Sequence, residues 1–355
     1  MGLQYKIKIV SEELHKESIW CKQILSGLTK ELKKKRMGYS SLHDTKSINE
    51  GDHVFVVGAG HVWLQRVVEK CNQLNITPII LSNLDGITIC GRCHLIYSDI
   101  ANTMRNLRAA CLINGREKIA LYGIQNFSGI HEGQRESLLE LVRDTGDIYM
   151  NNSGLDSCFH AFLPYADRYD TVVCMSGYAA VSLVKKLETV GSKLLKHLTI
   201  ISCEEILLSS RYKNIISFVD MKLDTFGSTA ISIVELLEGK ENNMTFCVSV
   251  EGAVQTISSS KTEQRTYLEE TEEYLLFADP EEVCLARVEK LLESTDEVDQ
   301  VIIELLLNGA TYSQIADDCY MTEGNVKYRV KKYLNICKVN SKKELLDMLG
   351  EYLPY

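Results

Sequence analysis

Along the first 255 residues, short apolar runs that do not alternate with polar positions are followed by longer stretches of helical periodicity. The runs are YKIKIV, HVFVVG, TPIILS, KIALYG, TVVCM, LTIIS, ISFVDM and TFCVSV. The helical stretches are Glu17–Lys35, Val62–Asn75, Gly133–Asp144, Tyr178–Val190 and Thr225–Glu238. A strand apolar on both faces must be covered on both, and helices that cross from one strand to the next supply that cover. The pattern predicts an α/β protein with parallel sheets, and the number of strands divides it into two lobes.

The pattern then changes. Ser258–Asp279 is polar and charged, in the manner of a connector. Asp279 before Pro280, with Glu282 following, starts a helix predicted over Asp279–Ser294. Val298, Val301, Ile302, Leu305 and Leu306 mark one buried face of a helix that Asn308-Gly309 ends. Thr311 and Gln314 form a capping box for a short helix with Ile315, Ala316 and Cys319 inward. Thr322 caps the next helix. There Val326, Val330, Tyr333 and Cys337 share one stripe, and Gly324, Lys327, Tyr328, Lys331, Lys332 and Asn335 lie on the opposite arc. Ser341 and Glu344 open a last helix with Leu345, Leu346 and Leu349. The expected organisation is a two-lobed α/β domain over 1–257, a connector over 258–295 with its helix at 279–294, and a small all-α four-helix domain over 296–355.

Apolar residues at 45%, charged residues at 25% and only 4 prolines describe an ordinary globular chain. No secretory signal and no run of about 18 apolar residues is seen, which predicts a cytoplasmic protein without a membrane partner. The 12 cysteines are scattered, and Cys174 and Cys203 sit in apolar runs, so they read as reduced small hydrophobes. A net charge of −9 argues against a surface that coats nucleic acid throughout. Its distribution adds to the picture. Between Val326 and Lys343 there are seven basic residues (Lys327, Arg329, Lys331, Lys332, Lys338, Lys342 and Lys343) and no acidic one, whereas Glu263–Asp299 is heavily acidic. A confined basic face on the second of two short helices joined by a tight turn is what insertion into the DNA major groove requires.

Gly309, Ile315-Ala316 and the ungapped run Val326–Lys342 resemble the DNA-binding domain of the LuxR/NarL family of bacterial regulators. Asn325, Arg329 and Ile336 depart from that family's usual threonine, histidine and lysine. The resemblance implies a helix-turn-helix on an operator, with Lys327, Tyr328, Arg329, Lys331, Lys332 and Asn335 as DNA contacts. It also implies a homodimer on paired half-sites, with Leu345, Leu346 and Leu349 of the final helix in the pairing.

Asn114–Gly123, Arg135 with RESLLELV, Tyr169–Ser182, Gly191–Glu205 and Val219–Leu237 resemble, in order and spacing, the effector domain of the lactose repressor (LacI/GalR) family. That likeness implies a two-lobed clamp of the periplasmic-binding-protein-like type. Its N-lobe would take about 1–99 and 223–241, and its C-lobe about 100–221 and 244–257. The chain would cross near Asp99–Ala101, Met221–Leu223 and Glu241–Met244, with a small-molecule effector between the lobes at the strand ends. Arg135 matches a ligand-contacting arginine, or else bridges a neighbouring carboxylate. Trp20 matches a cleft aromatic, or else is a core tryptophan. Asp220 contacts ligand or caps its turn. The Asn-Asp pair that holds a sugar hydroxyl in many members is Ser176-Gly177 here, a departure that leaves the expected effector open between a sugar and a related polar metabolite.

Gly58 and Gly60 follow a strand as in a dinucleotide site, but Trp63 stands where the third glycine belongs. Cys90, Cys93 and His94 have haem-attachment spacing and also half a zinc site, with nothing elsewhere to complete either, so no cofactor and no metal is expected. No catalytic constellation can be picked out among the 8 histidines. The function expected is a ligand-responsive DNA-binding transcriptional regulator and not an enzyme. The alternative is a sugar- or nucleotide-linked enzyme, or a solute-binding protein, on the same α/β fold.

Overall fold

The computed structural model describes residues 6–42, 45–84, 86–125, 136, 138–142, 145–237, 244–254 and 279–353. Among them are two six-stranded sheets. The first, in the order β11-β5-β4-β3-β1-β2, is parallel throughout and joins β1 (Ile7–Ser11), β2 (Tyr39–Leu42), β3 (His53–Val57), β4 (Ile79–Ser82), β5 (His94–Ser98) and β11 (Cys247–Val250). The second, in the order β12-β10-β9-β8-β6-β7, joins β6 (Ile119–Gln125), β7 (Ile148–Asn151), β8 (Thr171–Cys174), β9 (Thr199–Ser202), β10 (Ile216–Asp220) and β12 (Ala253–Val254). Only β12 there runs antiparallel. Every residue of β4 and of β8 is buried, as strands covered on both faces must be.

The helices are α1 (Ile19–Lys34), α2 (His61–Gln73), α3 (Ile100–Ile113), α4 (Leu155–Phe162), α5 (Gly177–Val190), α6 (Ser192–His197), α7 (Leu207–Ser210) and α8 (Thr225–Leu237). After them come α9 (Pro280–Glu293), α10 (Glu297–Leu307), α11 (Tyr312–Asp318), α12 (Glu323–Cys337) and α13 (Lys342–Tyr352). The chain passes from the first sheet to the second at Asp99, which N-caps α3, and back between β10 and α8. The third differs. The expected crossing at Glu241–Met244 assigned residues 244–257 to the second lobe, but Cys247–Val250 pair with Leu95–Ser98 at the edge of the first sheet. The chain changes lobes only at Glu251-Gly252, after which Ala253-Val254 pair with β10. The open edge of β5 supplies the reason: Leu95 N–H donates to Phe246 O and Asp99 N–H to Val250 O, satisfying backbone that would otherwise lie bare.

In the first lobe, α1 and α8 cross backbone to backbone. A Cβ on Gly27 would collide with the Asp224 carbonyl, and one on Gly227 with the Gly27 and Leu28 backbone. These are the positions where glycine's lack of a side chain permits the packing.

The connector helix α9 is no free spacer. Leu285, Val288, Leu291 and Leu292 are buried in one apolar core that runs from the second lobe (Tyr122, Phe162, Cys174, Ile200) through to the C-terminal helices (Ile302, Val330, Leu345). Its acidic residues seat it. Asp279 accepts from Glu281 N at its own N-terminus and from Leu155 N of α4 at 2.8 Å. Glu281 takes Ser182 Oγ at 2.6 Å and Lys186 Nζ at 2.8 Å, and Glu282 takes Asn151 Nδ2 at 3.2 Å. Glu289, 4% exposed, accepts from both Leu207 N and Leu208 N at 2.7 Å. The connector stretch 255–278 itself lies outside the described residues.

Two predictions follow from this packing. Replacing Gly227 with Ala must push α1 and α8 apart, and overpacking of this kind costs about 1–3 kcal/mol; a lowered urea midpoint is expected, and an unchanged one would show slack in the crossing. Burial pushes Glu289 up to about 7, against the pull of the Leu208 and Leu207 N–H groups. A carboxyl raised in the folded state contributes stability that is full below its unfolded value, about 4.5, and is lost as pH rises through about 7. Urea titrations from pH 5 to 8 should therefore show stability falling with pH, and Glu289→Gln should flatten that slope.

Candidate ligand cleft and nucleic-acid interface

In open parallel sheets ligands gather at the carboxyl ends of the strands. In the first lobe those ends carry Glu12 and His15 after β1, Gly58–Gly60 after β3, Asn83 after β4 and Ser98 closing β5. Neighbouring strands in the order β5-β4-β3-β1 make them one contiguous row. Three of them hold buried side-chain atoms without a hydrogen-bond partner among the described residues: His15 Nε2, Asn83 Oδ1 and Ser98 Oγ. Such atoms are rare in a folded protein because each costs about 1–3 kcal/mol when unmet, and a polar ligand is one way to meet them. Trp20, half-buried at the start of α1, stands with its ring centroid 5.4 Å from that of His15. His15 Nε2 is 3.8 Å from Glu12 Oε2, and burial holds the imidazole below its usual range while Glu12 opposes the shift.

Glu12 also settles the glycine pattern. Its Oε2 accepts from Ala59 N at 2.9 Å and Gly60 N at 2.8 Å, and Trp63 crowds Gly58. The N-terminus of α2, where a dinucleotide phosphate would sit, is filled by the chain's own carboxylate.

In the second lobe Ser176 lies at the strand end as expected, and its Oγ accepts from Tyr178 N at 3.2 Å as the N-cap of α5. Asp220, at the end of β10, caps its turn by accepting from Lys222 N at 2.9 Å and pairs with Lys222 Nζ at 2.7 Å. Glu204, which sequence reasoning passed over, follows β9 and accepts from Gly177 N at 3.2 Å; burial pushes it up to about 7. Arg135 lies outside the described residues. Trp20, beside His15 at the start of α1, and Ser176, at the end of β8, thus stand in different lobes, and Asp220 is engaged by Lys222. Glu12, His15, Asn83 and Ser98 were missed because nothing local marks them; only their place immediately past a strand could have found them.

The C-terminal helices follow their caps. Thr311 accepts from Gln314 N, Thr322 from Asn325 N, Ser341 from Glu344 N, and Gly309 ends α10 with φ +81°. In α12, Val326, Val330, Tyr333 and Cys337 are buried, and Lys327, Tyr328, Lys331, Lys332 and Asn335 are exposed. Lys327 pairs with Glu323 at 3.4 Å, and Lys332 Nζ donates to Ser294 O at 3.2 Å. Arg329 departs from the expectation of a DNA contact. Its guanidinium is held by Asp296 at 3.1 Å and Asp299 at 2.5 Å, and Tyr333 OH donates to the same buried Asp299. It clamps α12 to the start of α10, because Asp299, 2% exposed, needs a countercharge. In α13, Leu345 and Leu349 are buried and Leu346 half-buried, and Tyr212 OH of the second lobe donates to Tyr352 O. The leucines expected to pair between copies thus largely serve the chain's own core.

Among the described residues no group of three His, Cys, Asp or Glu could hold a metal ion. Cys90 is exposed, Cys93 half-buried with its thiol pushed up by burial, and His94 Nδ1 accepts from Phe246 N at 3.1 Å, holding β11 to the sheet. No helix among the described residues is long and apolar enough to cross a membrane.

No family model matches the chain, and no curated protein matches it. Solved structures do. A transcription regulator from Lactobacillus plantarum is similar at a TM-score of 0.53 and 13% identity, over 71% of this chain and 99% of that one. A LacI family transcriptional regulator, CCPA, from Weissella paramesenteroides with bound sucrose gives 0.53 and 12%, over 70% and 96%. GanP, a glucose-galactose binding protein from Geobacillus stearothermophilus, gives 0.55 and 13%, over 71% and 98%. Nearly their whole length is matched by a share of this chain equal to its two lobes, and the fold of those lobes is the two-lobed, periplasmic-binding-protein-like α/β clamp.

Proposed function

We propose that the chain is a ligand-responsive DNA-binding regulator of transcription, working as a homodimer, in which a small polar molecule between the lobes alters operator binding by the C-terminal helices. The observation that carries this reading is α12. Its apolar stripe is buried to the last residue, while Lys327, Tyr328, Lys331, Lys332 and Asn335 stand in water on the opposite arc. A helix fixed on one face and basic on the other, preceded by a short capped helix and a turn, is what groove insertion requires. An uptake protein or an enzyme on the same clamp has no use for it.

The effector side draws on the row of unmet polar atoms, which calls for a ligand with several hydroxyl or amide groups. Trp20 beside His15 offers a ring to stack on its apolar face. Neighbours of this fold include a regulator with bound sucrose and a regulator in complex with cellobiose, and a sugar or a related polar metabolite fits the groups present here. Coupling runs through α9. It is seated on the second lobe by Asp279, Glu281, Glu282 and Glu289, and Ile19 of α1 in the first lobe packs against the apolar core that its leucines share. A ligand shifts an equilibrium only by its differential affinity for two states, and an element in touch with both lobes is placed to report the change.

Lys331→Ala should weaken binding to the operator and lower its salt slope by about one unit, the mark of one lost phosphate contact. Fluorescence anisotropy at several salt concentrations reads both, and an unaltered affinity throughout would take α12 out of the groove. Inserting a flexible Gly-Ser segment after Ser294 should loosen the joint between α9 and α10 inside their shared core, lowering stability and reducing the effect of ligand on DNA binding. Wild-type coupling in the insertion variant would mean that the signal bypasses α9.

A further inference from the structure

Of the 12 cysteines, the exposed ones are Cys90, in the loop that leads into β5, and Cys247, in the neighbouring edge strand β11. Half-buried Cys93 stands between them, one residue before β5. Side chains of α2 hold that loop at two points. Gln65 Nε2 donates to Cys90 O at 3.0 Å and its Oε1 accepts from Cys90 N at 2.9 Å. Asn72 does the same for Arg92, at 2.9 and 2.8 Å. The clasp fixes where the chain enters β5, and with it the side on which Cys93 emerges.

Register then decides which cysteine Cys93 meets. Cys247 pairs with Leu95, and residues two apart along a strand share a face. Cys93 and Leu95 both pack on the α2 core with Val67 and Val68, so Cys247 lies on their side of the sheet. Cys93 and Cys247 are thus diagonal neighbours on adjacent strands. Burial pushes the Cys93 thiol up, and it is Cys247, not Cys90 of the Cys-x-x-Cys motif, that adds to the shift. With strands about 4.8 Å apart and a rise of about 3.3 Å per residue, that diagonal separates the Cα atoms by about 8 Å. A relaxed disulfide spans about 4.4–6.8 Å. Cys93 must move toward β11 to be bonded, against the hold of Asn72 on Arg92, and a bond made under tension is readily reduced.

We infer that Cys93 and Cys247 are a reversible thiol–disulfide pair, a modification site that a peroxide oxidises. Cys247, open to water, is the sulfur the peroxide meets. Its thiolate attacks one peroxide oxygen and breaks the O–O bond, leaving a sulfenic acid and, with a proton, one water. The Cys93 sulfur then attacks the sulfenic sulfur, and the hydroxyl departs with the Cys93 proton as a second water. The two sulfurs together lose two electrons and the peroxide gains them. Because β11 runs on into the lobe crossing at Glu251-Gly252, the bond ties the last strand of the first lobe to the loop held by α2.

Hydrogen peroxide in slight excess over the full-length chain tests this. The intact mass should fall by two hydrogens, and dithiothreitol should restore it. Arg92 lets trypsin part Cys90 from Cys93, so a digest without reductant should hold one cross-linked pair of peptides, carrying Cys93 and Cys247. Cys90→Ser should leave that product unchanged. Cys93→Ser should stop the reaction at the Cys247 sulfenic acid, which dimedone traps. A bond from Cys90 to either cysteine, a bond between two copies, or Cys93 and Cys247 left unlinked overturns the proposal. The mapping on the wild-type chain decides it even where a variant fails to fold.

Discussion

Carboxylates seated on backbone N–H groups hold this molecule in its arrangement. A buried acid is tolerated only where donors replace the water it has lost, and the free N–H groups at the start of a helix are such donors. Glu289 at α7, Asp279 at α4, Glu204 at α5 and Glu12 at α2 all use them. Two of the four come from α9 and its cap. The acidic stretch that a charge count would assign to solvent is therefore what fastens the C-terminal helices to the second lobe. Hydrophobic burial of Leu285, Val288 and Leu291 supplies the attraction, and the carboxylates supply the register.

The same strand ends are treated differently in the two lobes. In the second lobe the helix N-termini that follow β7, β8 and β9 are engaged by Asp279, Glu204 and Glu289. In the first lobe the N-terminus of α2 is filled by Glu12, yet His15, Asn83 and Ser98 leave polar atoms unmet. Under the function proposed above, unmet polar groups beside a ring suit hydrogen bonds from a neutral ligand. The filled N-termini leave few places for a phosphate.

Much of this could be read from the sequence where the signal is local. Caps at Asp279, Thr311, Thr322 and Ser341 act within three residues, and each opens the helix it was expected to open. The unbroken apolar runs within β3, β4, β8 and β9 announce burial on both faces. Edge strands do not, and β2 and β7, with weaker patterns at the rims of their sheets, escaped notice. So did β5 and α3, whose polar residues interrupt the apolar run. The place of β11 depended on which lobe had an edge to spare, and the inward turn of Arg329 depended on Asp299 some thirty residues away in sequence. Partnerships made only by the folded chain leave no mark on a short window.

The single apolar core from the second lobe to the last helix bears on how such a protein could be remodelled. Domains joined by a tether can be exchanged or cut with little loss, since no surface is uncovered. Here a cut between lobe and bundle would bare the leucine face of α9 on one side and the α5 and α7 surface beneath it on the other, and would leave Glu289 and Asp279 without their donors. The two-lobed half and the helical half have become one folding unit, so a change in either is inherited by both.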